Sequence, residues 1–178
     1  MVAKLERRIF EAIQRDYDET GLECAILEPS DTIPFETLIT VFDKIGQNNR
    51  IVRLENNFFP RSADRDDVLL LQSISVLVQK VIPYHQPELL RFFAQINYTL
   101  PIGSFGFLEN GQMAYFKHNA MIMVSYDFDD CVKQIDAQIG LIFHLHQIYF
   151  DAIEAVATGR YTAEDAIKSI KHPEISRS

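Results

Sequence analysis

The chain has 178 residues, 47% of them apolar, and seventeen basic against twenty-five acidic side chains give a formal charge of -8. That length suits a single domain, residues 1 to 170 followed by a polar tail from 171 to 178, able to bury roughly 70% of the surface of the unfolded chain. The acidity opposes nucleic-acid and anionic-membrane partners. No run approaches the ~20 apolar residues of a membrane span, and Lys4, Glu6, Arg7 and Arg8 stand where a secretory signal needs an apolar centre, so a soluble cytoplasmic protein is expected.

Leu5, Ile9, Ala12, Ile13 and Tyr17 recur at helical spacing and predict a helix over residues 3 to 18, ended by Asp18-Glu19-Thr20 with Gly21 as its cap. Leu22 to Leu27 reads as a strand stopped by Pro29-Ser30-Asp31. Thr37 to Phe42 and Ile51 to Leu54 flank the turn cluster Gly46-Gln47-Asn48-Asn49 and predict an antiparallel pair. Residues 67 to 80 read as a further strand, although their leucines and glutamines also suit a helix. Cys24 and Cys131 match no metal spacing and are expected to be buried thiols.

Pro87 fits the first position of a helix with the stripe Leu90, Phe93, Ala94 and Asn97, widened by Leu89, Phe92 and Ile96. Gly103 to Leu108 and Met113 to Lys117 then flank Asn110-Gly111, a strong hairpin signal. Met121 to Tyr126 extends the second arm or adds one more strand. A long helix begins at Asp127-Phe128-Asp129-Asp130, whose carboxylates suit the positive end of a helix, and runs to about Thr158 with Gly159 as its stop. It carries two apolar stripes, one from Val132 through Ile135, Ile139, Ile142, Tyr149 and Ile153 to Val156, the other Leu141, Leu145, Ile148, Ala152 and Ala155. One stripe suffices to cover a sheet, so the second must face another element or another molecule. A short helix from Thr162 to Ile170 closes the domain. The expected fold is therefore α+β: an antiparallel sheet of five or six strands packed by an N-terminal, a middle and a long C-terminal helix.

Leu89-Leu90-Arg91-Phe92 through Gln95-Ile96-Asn97, then Gly103-Ser104-Phe105-Gly106-Phe107, then Asn110-Gly111, resemble the YbjN family, which is similar in fold to type III secretion chaperones. The resemblance covers residues 86 to 160 and reaches residues 1 to 80 only through element order. It implies a small sheet packed by helices, often dimeric, whose members bind proteins rather than catalyse, the chaperones holding partner segments extended along their surface.

The residues themselves carry no catalytic signature. His144 and His146, two apart on a helix, diverge by about 200° and cannot clasp one metal from one face. Asp127, Asp129 and Asp130 suit a hard cation but are explained by helix capping. Ser104 lacks the strand-to-helix elbow of a nucleophile, and no phosphate loop or dinucleotide fingerprint is present, so no cofactor is expected. The expectation is a non-enzymatic, chaperone-like or regulatory protein-binding domain that acts through apolar helix or sheet surface and whose partner is another protein or itself as a homodimer. Leu141, Leu145, Ile148 and Ala152 of the second stripe, with Phe58 and Phe59, are the candidate interface. The alternative is a small metal-dependent hydrolase gathering His85, His118 and Asp127 to Asp130.

Overall fold

A computed structural model describes residues 4–31, 33–60 and 67–170. The elements follow as helix α1 (Leu5–Thr20), strands β1 (Cys24–Leu27), β2 (Thr37–Ile45), β3 (Arg50–Phe58) and β4 (Val68–Val78), helix α2 (Gln86–Ile96), strands β5 (Ser104–Leu108) and β6 (Met113–Met123), the long helix α3 (Phe128–Ala157) and the short helix α4 (Ala163–Ser169). The strands form one antiparallel six-stranded sheet in the order β1-β2-β3-β4-β6-β5. This is the α+β architecture expected from the sequence. The expected tail over 171 to 178 lies outside the described residues.

All helices lie on one face of that sheet. Along β3, Val52, Leu54, Asn56 and Phe58 are buried while Ile51, Arg53 and Glu55 are exposed. Along β4, Leu69, Leu71, Ser73 and Ser75 are buried while their neighbours Leu70 and Val76 are exposed. Alternation of this kind is what a sheet covered on one side produces. Onto the inner face α1 sets Ile9, Phe10, Ile13 and Tyr17, and α3 sets the whole of its first stripe.

Residues 67 to 80 admit both helix and strand in sequence because their period is inverted in polarity. The inward positions carry Ser73 and Ser75, whereas outward positions carry Leu70, Ile74 and Val76. The serines are inside because each has a buried partner: Ser73 Oγ donates to Asn56 Oδ1 at 2.6 Å, and Ser75 Oγ meets His146 at 2.7 Å. The segment is thus a strand, paired on both sides with β3 and β6.

The Asn110-Gly111 hairpin forms between β5 and β6 but not as a two-residue turn. Leu108 pairs with Met113, leaving a four-residue loop with a 3₁₀ turn over Glu109–Gly111, and Gln112 takes the left-handed conformation (φ 50°). Met121 to Met123 extends the second arm as part of β6. In α2 the inward face is Leu89, Phe92, Phe93 and Ile96, while Leu90 and Ala94 point to solvent. At α3, Asp127 occupies the N-cap position without a side-chain capping bond, and Asp129 and Asp130 sit in the first turn. At α4 the cap is complete, with Thr162 Oγ1 accepting from Asp165 N–H and Asp165 Oδ2 accepting from Thr162 N–H.

Asn97, expected on the helical stripe, instead ends α2 and closes an edge of the sheet. Its Nδ2 donates to the Phe105 carbonyl at 2.9 Å and its Oδ1 accepts from the Phe105 N–H at 2.8 Å, so one amide satisfies both backbone groups of an edge-strand residue. Asn97→Ala leaves both groups unpaired beside the buried Phe105 ring. We expect it to lower stability by about 1–3 kcal/mol, read as a reduced urea midpoint at unchanged slope.

Candidate functional site

The fold leaves one face of the sheet free of helices. Register places its outward residues in rows across the strands. One row runs Ala25, Ile39, Glu55, Ile74, Lys117 and Ser104. In the next row Val41 pairs with Arg53 and Val76 with Tyr115, which lies beside Gly106. The Tyr115 ring lies over Gly106, where an added Cβ would meet it at 2.6 Å. Farther along, Leu70 pairs with Met121. Exposure reaches 69% at Ile51, 68% at Met121, 41% at Val76 and 39% at Leu70, and each apolar side chain left in water forgoes ~1.5–3 kcal/mol of burial. This face was missed at the sequence level because its apolar side chains alternate with core residues in the same strands.

A second concavity lies at one end of the inner face. A groove of about 810 Å³ is lined by Leu5, Phe10, Phe58 and Phe59, by Phe35, and by Pro29, Pro34 and Pro60. Phe58 is 8% exposed and stacks on Phe10 with centroids 4.9 Å apart, so it is a core plug, whereas Phe59 is half-buried and meets Phe35 edge-on at 6.3 Å. Arg7 at the groove wall binds Glu11, Glu28 and Glu36 together. Those hydrogen bonds, Glu36 foremost, raise its pKa and commit its charge to the protein's own carboxylates.

Of the second stripe of α3, Leu145, Ala152 and Ala155 are buried within the monomer, while Leu141 and Ile148 stay half-buried. Ile148, Ala152 and Ala155 line a hollow of about 420 Å³ together with Ser169 and Ile170, so the end of α4 is the element that meets this stripe. α4 is itself held by its Ala163 N–H, which donates to Glu88 of α2 at 2.8 Å.

The histidines and aspartates proposed for metal chemistry are dispersed. His85 lies against Gly159, His118 stands on β6 opposite Ser73 with its pKa lowered by burial, and Asp127, Asp129 and Asp130 sit exposed at the start of α3. Among the described residues, no group of three His, Cys, Asp or Glu side chains could hold an ion. Cys24 and Cys131 are free and buried, and burial raises both thiol pKa values.

Ser75 and His146 have the chemistry of a nucleophile and base but the environment of a core. His146 Nδ1 lies 2.6 Å from the Ile142 carbonyl, which can only accept, so Nδ1 carries the proton and Nε2 accepts from Ser75 Oγ–H. Both residues are almost wholly inaccessible, and Phe42, Phe105 and Phe116 surround the imidazole at centroid distances of 5.4 to 6.4 Å. No substrate atom can reach the pair in this conformation.

No family model matches the chain, and no curated protein matches it. Among the described residues no helix is long and apolar enough to cross a membrane.

Burial pushes the His146 pKa down to about 4 from an ordinary 6.5. The folded state therefore holds fewer protons than the unfolded state between these values, and stability is full above pH 6.5 and falls as the pH drops toward 4. The loss is on the order of 3 kcal/mol when fully expressed. We expect the double substitution Ser75→Ala, His146→Leu to flatten urea stability over this window. An unchanged slope would show that other groups carry the acid sensitivity.

Proposed function

We propose that this chain is a non-enzymatic protein-binding domain, chaperone-like or regulatory, that acts through the helix-free face of its sheet. The observation that supports this reading is the concentration of apolar side chains on that face, Ile39, Val41, Leu70, Ile74, Val76, Tyr115 and Met121, in a fold whose helices are all committed to the opposite side. An apolar patch of this kind, interrupted by a few charges, is the usual composition of a protein interface with specificity built in. A second copy is one protein that could meet it, in keeping with the expected homodimer.

The α3 candidates contribute differently to this reading. Leu145 and Ala152 serve the monomer's core, and Leu141 and Ile148 offer only half-buried margins. Phe59 remains available on the rim of the aromatic groove. The sheet face is larger, and its residues project in parallel from rigid strands.

Footprinting tests the assignment. In a native extract, labelling of Tyr115 is expected to fall several-fold relative to the purified chain at high dilution, while the exposed Tyr98 and Tyr84 react equally in both. Equal reactivity of Tyr115 in extract and in dilution would overturn the reading.

A further inference from the structure

The two central outward rows of the sheet are complementary to each other, and we infer that the occupant of this face is a second copy of the same chain, stacked sheet to sheet about a two-fold axis that runs across the strands. The inference rests on the reading of this face as an interaction surface and names its partner.

The argument begins with the two central rows. The first carries Ile39, Glu55, Ile74 and Lys117 on β2, β3, β4 and β6. The second carries Val41, Arg53, Val76 and Tyr115 on the same four strands, with Arg53 falling beside Val76 when the β3–β4 register is continued by one residue. A two-fold axis lying in the interface between these rows, perpendicular to the strands, exchanges one row for the other. Ile39 then faces Val41 of the second copy, Glu55 faces Arg53, Ile74 faces Val76 and Lys117 faces the Tyr115 ring. Each apolar residue meets an apolar one, the carboxylate meets the guanidinium, and the ammonium meets an aromatic ring.

The charge pattern selects this axis over the other simple choice. An axis parallel to β3 would also stack apolar strands, since β2 would cover β4, but it would set Arg53 on Arg53 and Glu55 on Glu55. Like charges so placed disfavour that arrangement and fix the register of the first. Neither Arg53 nor Glu55 has an ion-pair partner within the chain among the described residues. In an isologous dimer each pair occurs twice, once on either side of the axis.

The area that the axis superposes fits a modest, reversible pair. Strands β2 and β3 are nine residues long, and β4 and β6 eleven. At ~3.3 Å per residue and ~4.8 Å between strands, the segments that this axis superposes, three to four residues either side of Thr40, Leu54, Ser75 and Phe116 with a little of the edge strands, span on the order of 500 Å², and two such faces total about 1,000 Å², the lower bound of a specific interface. Two such faces stack ~10 Å apart with their strands inclined by about 30°, as aligned sheets do.

Sedimentation of the full chain combined with photo-crosslinking tests this. The wild type is expected to be a dimer. Arg53→Glu alone and Glu55→Arg alone each place like charges across the axis and should raise the dimer dissociation constant more than about tenfold. The combined R53E and E55R exchange should return it to within about threefold of wild type, a rescue that a folding defect would not give. In cells, a photo-crosslinking residue placed at Val76 is expected to join two copies of the chain through Ile74. A monomeric wild type, or a dimer indifferent to the single reversals, would overturn the inference. A crosslink from Val76 to a different protein would overturn it while leaving the face an interaction surface, and no crosslink at all would remove both.

Discussion

The structure depends on the seating of α3 across the inner face of the sheet, and that seating turns on one hydrogen-bonded contact in an otherwise apolar interface. Ser75 in the middle of β4 donates to His146, which in turn donates to Ile142 one turn earlier in its own helix. A buried imidazole surrounded by phenylalanines is tolerable only when both nitrogens are satisfied, and this geometry leaves neither unpaired. Displacing α3 by one turn would leave Ser75 Oγ and His146 Nε2 buried without a partner, so the contact selects one helix position among many that apolar packing alone would accept. Beside it Asn56 bridges β3, β4 and β2, accepting from Ser73 and donating to the Leu38 carbonyl at 3.4 Å. These polar groups hold the strands in register within a largely apolar inner face.

Once α3 is placed, its polar side chains organise what surrounds it. Gln147 Nε2 donates to the Lys44 carbonyl, and the Asp151 carboxylate accepts from the Gln47 N–H at 2.9 Å. Together they hold the β2–β3 turn, in which Lys44, Gly46 and Asn49 all have positive φ. Gly46 is required there, because an added Cβ would stand 2.3 Å from the Asp151 carboxylate oxygen. Glu154 binds both Arg50 and Arg160, tying the same turn to the loop after α3. At the other end, Tyr17 of α1 donates to Asp136 at 2.8 Å; burial foremost, with that bond, raises the pKa of the phenol. The helices are thereby committed to one side of the sheet, and the opposite side is left uncovered.

The candidate sites were unevenly legible. Phe58 and Phe59 are adjacent in sequence, yet the strand pleat sends one onto Phe10 in the core and the other to the rim of a groove. The second stripe of α3 was evident from helical spacing, but periodicity cannot say what covers a stripe. Residues of α4 and its C-terminal Ile170 meet it here. The sheet face was hidden for a related reason. In β4 the outward side is more apolar than the inward one at Ser73 to Val76, which reverses the usual rule that alternation marks apolar as inside. Only the partners of Ser73 and Ser75, distant in sequence, reveal which side is which.

Sequence alone determined most element types and their order, because helical period, strand alternation and the Gly21 cap are local properties read within a few residues. It also determined that α3 must be buried on more than one side, since two apolar stripes cannot both be left in water. Tertiary structure decided between strand and helix for residues 67 to 80, the place of Asn97 as an edge clasp and the pairing of His146 with Ser75. It decided too which face of the sheet stays open. Each of these rests on a hydrogen bond or packing contact between groups far apart in the chain, and such contacts exist only after the helices have been laid on the sheet.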